Sequence, residues 1–358
     1  MNAVANDPTT LTYSNCPVPN ALLVALGSGA LDSAGIRLEV LSGEQGQIHF
    51  TYDQPAYTRF GGEIPPLVSE ALRAPGRTRL LGIAPLLGLQ GYFVRADSPI
   101  GPPSDLAGRR IGVSASATRI LRRELGDYLA LDPWRQTLVA LGTWEARALL
   151  HTLEAGGLGL DDVDLVRVES PGVDVPPERL RKAKSVKGAD LFPDVASQQA
   201  ALLEEGRADA IFAWLPWAAE LETRFGARPV ADLGQDPRNA YACVWTVSSQ
   251  LVETRPEAVQ RLVNAVADAG LWSRGHGGEA ARLHAENLGV AVESVPRGFG
   301  ADFHEHLVPR LDPEAFAILE RTAAFLLDRE LIPRPVALDR WAAPEFLDNY
   351  RKLSGGLQ

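Results

Sequence analysis

The chain has 358 residues, of which 46% are hydrophobic and 22% charged, with a formal net charge of −10. That is an ordinary globular composition with apolar mass for more than one core, since single domains usually run to roughly 100–200 residues. The acidic balance excludes a broad nucleic-acid or anionic-membrane surface, which needs a basic field, so an anionic ligand must be captured by a local device.

At the start of the chain, Met1 to Asp7 show neither the basic nor the apolar region of a secretory signal. The most apolar stretch, residues 80–93, is shorter than the roughly 18–20 residues that a membrane span requires. The chain holds two cysteines. A cytoplasmic protein with both thiols reduced is therefore expected.

Residues 12–14 predict a short strand, ended by Pro17 and Pro19, and a helix follows over 21–26. Residues 36–41 alternate apolar and charged side chains, the pattern of a half-buried strand. Pro65 and Pro66 open a helix to Arg73, since proline in the first helical turn sacrifices an N–H that has no partner there. The apolar runs 77–86 and 91–95 have strand length. Residues 104–117 read as a helical turn, a strand and a loop of small hydroxyl residues, then a long helix over 118–131. Backbone N–H groups at such a loop–helix junction form a ready anion site.

Further on, helices are expected over 144–154, 195–205 and 215–224, with strands over 164–168, 208–214, around 229–230 and over 239–248. The rest is helical: 256–272, 279–288, 313–327 and 341–353. Residues 171–187, rich in proline and charge, read as a surface loop or a lid. Alternating strands and helices predict parallel sheets with helices on both faces.

The segment Asp105-Leu106-Ala107-Gly108-Arg109-Arg110-Ile111-Gly112-Val113 resembles the one that opens the second lobe of type II periplasmic-binding-protein folds. Gly206-Arg207-Ala208-Asp209-Ala210 resembles another segment of those folds. The expectation is an α/β, two-lobed, periplasmic-binding-protein-like (type II) fold with mixed, mostly parallel sheets and a helical C-terminal region. Residues 1–97 and 240–358 form the first lobe and 98–239 the second. Ligands in such folds sit in the cleft between lobes, at the carboxyl ends of strands.

Cys16 lies in the polar, turn-forming stretch Thr-Tyr-Ser-Asn-Cys-Pro-Val-Pro-Asn at 12–20, an unusual setting for a thiol that merely fills core space. Cys243, inside an apolar run, reads as such a filler. His49 is an ordinary surface or capping histidine, or the partner of a tuned thiol, because a Cys/His pair from separate segments is one way to activate sulfur. Arg59 is a surface ion-pair arginine, or the fork that grips a two-oxygen anion, and it precedes Gly61-Gly62, where absent side chains permit close approach. Residues 112–116 miss the G-x-S-x-G nucleophile elbow by their last position. His276, His284, His304 and His306 lack metal-site spacing and read as a solvated helical face. No phosphate loop or G-x-G-x-x-G is present, so no nucleotide cofactor is indicated. Phe50, Trp144, Phe192 and the stretch Trp214-Leu215-Pro216-Trp217 are core residues or, as strand-end aromatics, walls of a flat apolar slot.

Over essentially its whole length the chain resembles the 2'-hydroxybiphenyl-2-sulfinate desulfinases of the bacterial pathway that removes sulfur from dibenzothiophene. The resemblance is carried by residues 11–23, 49–67, 111–117, 134–142 and 341–347. It implies a cofactor-free, cytoplasmic, monomeric enzyme that converts an aryl sulfinate and water to a phenolic biphenyl and sulfite. It implies catalytic roles for Cys16, His49 and Arg59, a backbone contact at Gly62, and Ser14 beside the cysteine. Pro17, Phe50, Trp144, Phe192 and Leu215 are the implied apolar walls. Cys16 is expected to protonate the ipso carbon, because a nearby sulfinate disfavours a second negative charge on sulfur. Attack on sulfur by a Cys16 thiolate, with His49 as its base, is the rival scheme, and a plain anion- or sulfonate-binding protein is the rival from another class.

Overall fold

The computed structural model describes residues 9–14, 16–41, 54–169 and 188–353. The expected loop or lid at 171–187 lies outside them. Among the described residues, ten strands form two five-stranded sheets. The first has the order β2 (Ile36–Val40), β1 (Thr9–Tyr13), β3 (Tyr57–Gly62), β10 (Tyr241–Ser248), β4 (Thr78–Leu86). The second runs β7 (Asp164–Arg167), β6 (Arg110–Val113), β8 (Ala210–Trp214), β5 (Gln90–Val94), β9 (Arg228–Pro229).

One expectation is corrected here. The chain changes sheets at Leu87–Leu89 rather than after residue 97, because β5 pairs antiparallel with β8 and β9. Each sheet is mixed and mostly parallel, as expected, with four of its five strands pointing the same way. β1 pairs parallel with β2 and β3, and β6 with β7 and β8, whereas β5 and β10 are antiparallel to both of their neighbours.

Burial follows from the side chains. β10 reads Tyr-Ala-Cys-Val-Trp-Thr-Val-Ser and is buried at every position, as a strand with two neighbours and two covered faces must be. Its Trp245 stacks on Phe60, with ring centroids 5.5 Å apart, and donates its indole N–H to Thr58 Oγ1 at 3.0 Å. β2, at the sheet edge, keeps the alternation read from its charges, with Arg37 and Glu39 exposed. Asp132 and Asp312 each precede a proline and accept an N–H of the first turn, which starts the helices Pro133–Leu141 and Pro313–Asp328. The long helix expected over 118–131 instead ends at Leu121. Arg123 then takes the left-handed conformation, at φ 56°, and a 3-10 turn covers Tyr128–Ala130.

The helix Ala21–Gly27 fixes the end of the cysteine loop. Asn20 caps it, accepting Leu23 N–H at 2.8 Å and donating to Val18 C=O at 3.0 Å. The Asn20 N–H donates to His284 Nε2 at 3.2 Å. Because His284 Nδ1 lies 2.7 Å from the Ala280 carbonyl, Nδ1 carries the proton and Nε2 is the acceptor. His284 is thus a buried neutral ring against Phe299 and Phe303, not part of a solvated face.

Burial lowers the His284 pKa to about 4 from an ordinary 6.5. The unfolded chain therefore binds a proton between these values that the folded chain refuses. The resulting stability is fully present above about pH 6.5 and is lost as pH falls toward 4. Between pH 7 and pH 5 the wild type should lose about 2 kcal/mol from this group. Urea titrations should find that loss reduced by about the same amount in His284→Gln.

Candidate active site

Cys16 sits just beyond β1, in the loop closed by Asn20, and its sulfur is buried against the end of β3. Two donors converge on Sγ: Arg59 Nη2 at 3.4 Å and the Gly62 backbone N–H at 3.3 Å. Arg59, itself 3% exposed, also donates from Nη1 to the Gly62 carbonyl at 3.0 Å. One guanidinium thus holds both the Gly62 carbonyl and the sulfur. A buried guanidinium must be held by hydrogen bonds, because isolated burial of a charge costs several kcal/mol.

The paired glycines make this contact possible. A Cβ on Gly61 would stand 2.6 Å from both Cβ and Sγ of Cys16 and 2.8 Å from Arg59 Nη2. A Cβ on Gly62, on the opposite face, would meet the Trp144 indole at 3.0 Å. The close approach expected at Gly61-Gly62 is therefore made by the thiol on one side and by an aromatic ring on the other.

Trp144 opens an aromatic cluster. Its ring is 4.7 Å from Trp214, and the Tyr241 ring meets both edge-on, at 5.8 and 5.7 Å. Trp217 extends the cluster, 6.3 Å from Trp214, and Phe192 lies 5.2 Å from Trp217. The expectation that these aromatics lie at strand ends holds for Trp214, the last residue of β8. Trp144 instead belongs to the helix Thr143–Ala155, and Phe192 follows the short helix Gly188–Leu191. Leu215 is buried with φ 58°, a strained conformation for a branched side chain, at the start of the helix Leu215–Phe225.

The structure thus brings together Cys16, Arg59, Gly62 and Trp144. Ser14 is buried, and its hydroxyl bonds the Tyr57 hydroxyl. Pro17 is half-buried beside the cysteine. Leu215 belongs to the same apolar cluster as Cys16 and Trp144, and Phe192 packs against it. His49 and Phe50 lie outside the described residues. Cys243 is buried in β10, and desolvation pushes its thiol well above the ordinary range, as suits a filler. Neither cysteine is in a disulfide.

The anion site expected at residues 114–117 is filled by the protein's own carboxylate. Glu145, 1% exposed, accepts the Ser114 N–H at 3.1 and 3.2 Å, and Ser114 Oγ accepts Ala117 N–H. Sequence reasoning assigned no role to Glu63, Arg147 or Thr322. Glu63 directly follows Gly62 and is fully buried, accepting Thr322 Oγ1–H at 2.7 Å and Ala242 N–H at 2.6 Å. Burial raises its pKa, while Arg147 and these donors act the other way. The only hint was the position of Glu63 beside the glycine pair.

A buried guanidinium fork, a thiol and a wall of indoles suit an anionic head joined to a flat aromatic body. The chain is 71% identical over 340 residues to the 2'-hydroxybiphenyl-2-sulfinate desulfinases of Rhodococcus erythropolis and Rhodococcus qingshengii, covering 95% of this chain and 93% of each relative. No family model matches. A crystal structure of a cysteine-to-serine mutant of DSZB in complex with biphenyl-2-sulfinic acid superposes with a TM-score of 0.94 at 70% identity, over 96% of this chain and 99% of that one. The periplasmic sulfonate-binding protein SsuA from Methylobacillus flagellatus KT superposes with a TM-score of 0.69 at 14% identity, over 99% of this chain and 97% of that one, a likeness of fold alone. It identifies the fold as the type II periplasmic-binding-protein kind.

Gly61→Ala should lower stability by about 1–3 kcal/mol in urea titrations, the usual cost of overpacking. Gly275→Ala, where an added Cβ meets open space, should stay within about 1 kcal/mol of the parent.

Proposed function

The chain belongs to the 2'-hydroxybiphenyl-2-sulfinate desulfinase family, and from that membership we propose that it hydrolyses 2'-hydroxybiphenyl-2-sulfinate to 2-hydroxybiphenyl and sulfite. The observation that carries this reading is the convergence of Arg59 and the Gly62 N–H on the Cys16 sulfur, beside the Trp144 wall. Arg59 and the Gly62 N–H hold the sulfinate oxygens, the charged, forked donor being suited to a two-oxygen anion. The aromatic wall takes the rings, and burying one ring's worth of surface contributes about 1.5–3 kcal/mol.

An aryl carbanion is too poor a leaving group to depart unprotonated, so the ipso carbon receives a proton as the carbon–sulfur bond breaks. Cys16 supplies it. The bonding pair stays with the carbon and forms the new C–H bond, and sulfur leaves as sulfur dioxide. Water adds to sulfur dioxide to give bisulfite, and the proton so released restores the Cys16 thiolate to thiol. His49 and Ser14 orient the thiol or the sulfinate, and Pro17, Phe50, Phe192 and Leu215 complete the apolar walls. We place the enzyme in the cytoplasm, as a monomer needing no cofactor.

One observation favours the rival scheme. Both donors reach Cys16 Sγ, the atom that would attack the sulfinate sulfur. Rapid-quench mass spectrometry during turnover separates the two. A thiolsulfonate-type adduct on Cys16 would establish the nucleophile, whereas proton donation leaves the mass of Cys16 unchanged throughout.

Cys16→Ala should lower kcat by roughly 10²–10⁴-fold, the usual weight of a positioned proton donor. Its sulfinate affinity by calorimetry should stay within a few-fold of the parent. Arg59→Lys keeps the charge and loses the fork, so it should weaken sulfinate binding by about 1–3 kcal/mol.

A further inference from the structure

Behind the site lies a buried polar chain that the proposed chemistry does not use. It begins at Glu63, the residue after the Gly62 N–H that faces Cys16. One carboxylate oxygen accepts Ala242 N–H and the other accepts the Thr322 hydroxyl. Thr322, fully buried on the helix Pro313–Asp328, in turn receives Arg147 Nη1–H at 2.8 Å. Arg147 also donates from Nη2 to the Ala240 carbonyl at 3.2 Å, and its guanidinium lies over the Tyr241 ring, 5.1 Å from the centroid.

The order of donors is fixed by chemistry. A guanidinium only donates, so the Thr322 oxygen must accept from Arg147 and turn its own proton to Glu63. Glu63, Thr322 and Arg147 are 0%, 0% and 3% exposed, so each missing partner would leave a buried polar group unsatisfied. The two ends of the chain also sit on the two halves of the site. Glu63 continues the strand that carries Arg59 and Gly62. Arg147 shares a helix with Trp144, three residues away on the same face, and covers Tyr241, which packs edge-on against Trp144 and Trp214.

We propose that the Glu63–Thr322–Arg147 chain is a strut that sets the spacing between the anion-holding end of the site and its aromatic wall. None of the three touches the reacting atoms. They are positioning residues, and the proposal rests on the desulfinase reading for what the spacing serves. An apolar core of the same shape would hold these elements together at least as firmly, since buried ion networks often add little net stability. What hydrogen bonds add is one fixed geometry, and a displacement of about 1 Å at a reacting centre can cost on the order of a hundredfold in rate.

Thr322→Val keeps the shape and removes the hydroxyl, while Thr322→Ser keeps the hydroxyl. At equal folded fraction, judged by circular dichroism, the valine variant should lose at least tenfold in kcat/KM for 2'-hydroxybiphenyl-2-sulfinate, and the serine variant should stay within twofold of the parent. Cys16 alkylation by iodoacetamide, which needs no turnover, should slow at least threefold in the valine variant alone. If Thr322→Val does not fold, Arg147→Lys, which keeps the charge and loses the fork, should show the same losses. Parent-like kinetics and alkylation in the valine variant, or equal losses in valine and serine variants, would overturn the strut. A parent protein that releases no sulfite would instead overturn the desulfinase reading and leave the alkylation result to judge the strut.

Discussion

Everything in this site depends on one buried cation. Arg59 is buried away from water, and its two terminal nitrogens donate to the Gly62 carbonyl and the Cys16 sulfur. That arrangement fixes the path of two segments at once, the loop after β1 and the end of β3. It also explains why two side chains are missing at Gly61 and Gly62. Any Cβ at Gly61 would stand where the thiol and guanidinium meet. The sulfur is therefore placed by charge, and the charge is placed by backbone.

The surrounding architecture makes such placement rigid. β10 returns from the second sheet and inserts antiparallel between β3 and β4, buried along its whole length. Its Trp245 packs on Phe60, the residue next to Arg59, while its first residue, Tyr241, joins the aromatic wall. One strand therefore ties the anion-holding end to the wall. The same two-sheet plan is shared with sulfonate-binding proteins at 14–15% identity. The difference argued for this chain is chemical rather than topological, a thiol set beneath the fork that would otherwise only hold an anion.

How much of this was legible in the sequence depends on how local the cause is. The helix start at Asp312-Pro313, the alternating strand at 36–41 and the apolar run of β10 follow from neighbouring residues and were readable, whereas the helix Pro133–Leu141 was not expected. The polar turn that carries Cys16 was readable as well. The sheet to which β5 belongs was not, because an apolar strand carries no mark of its partner. The helix expected over 118–131 failed at a left-handed Arg123 that propensity does not reveal. Long-range polar partners were hidden entirely. Glu63 meets Thr322 259 positions away, and Asn20 meets His284 264 positions away. A histidine or glutamate in an amphipathic helix looks the same in sequence whether it faces water or another chain segment. Glu145 shows the converse, filling from within an anion site that seemed open.

The central claim is that Cys16, held by Arg59 and Gly62, breaks an aryl carbon–sulfur bond. The most direct measurement supplies the purified protein, without additives, with 2'-hydroxybiphenyl-2-sulfinate, and quantifies 2-hydroxybiphenyl and sulfite before and after alkylation confined to Cys16 by peptide mapping. The account predicts equimolar release of the two products, lost in proportion to the label on Cys16. Binding of the sulfinate without release, or release that survives complete alkylation of Cys16, would contradict it.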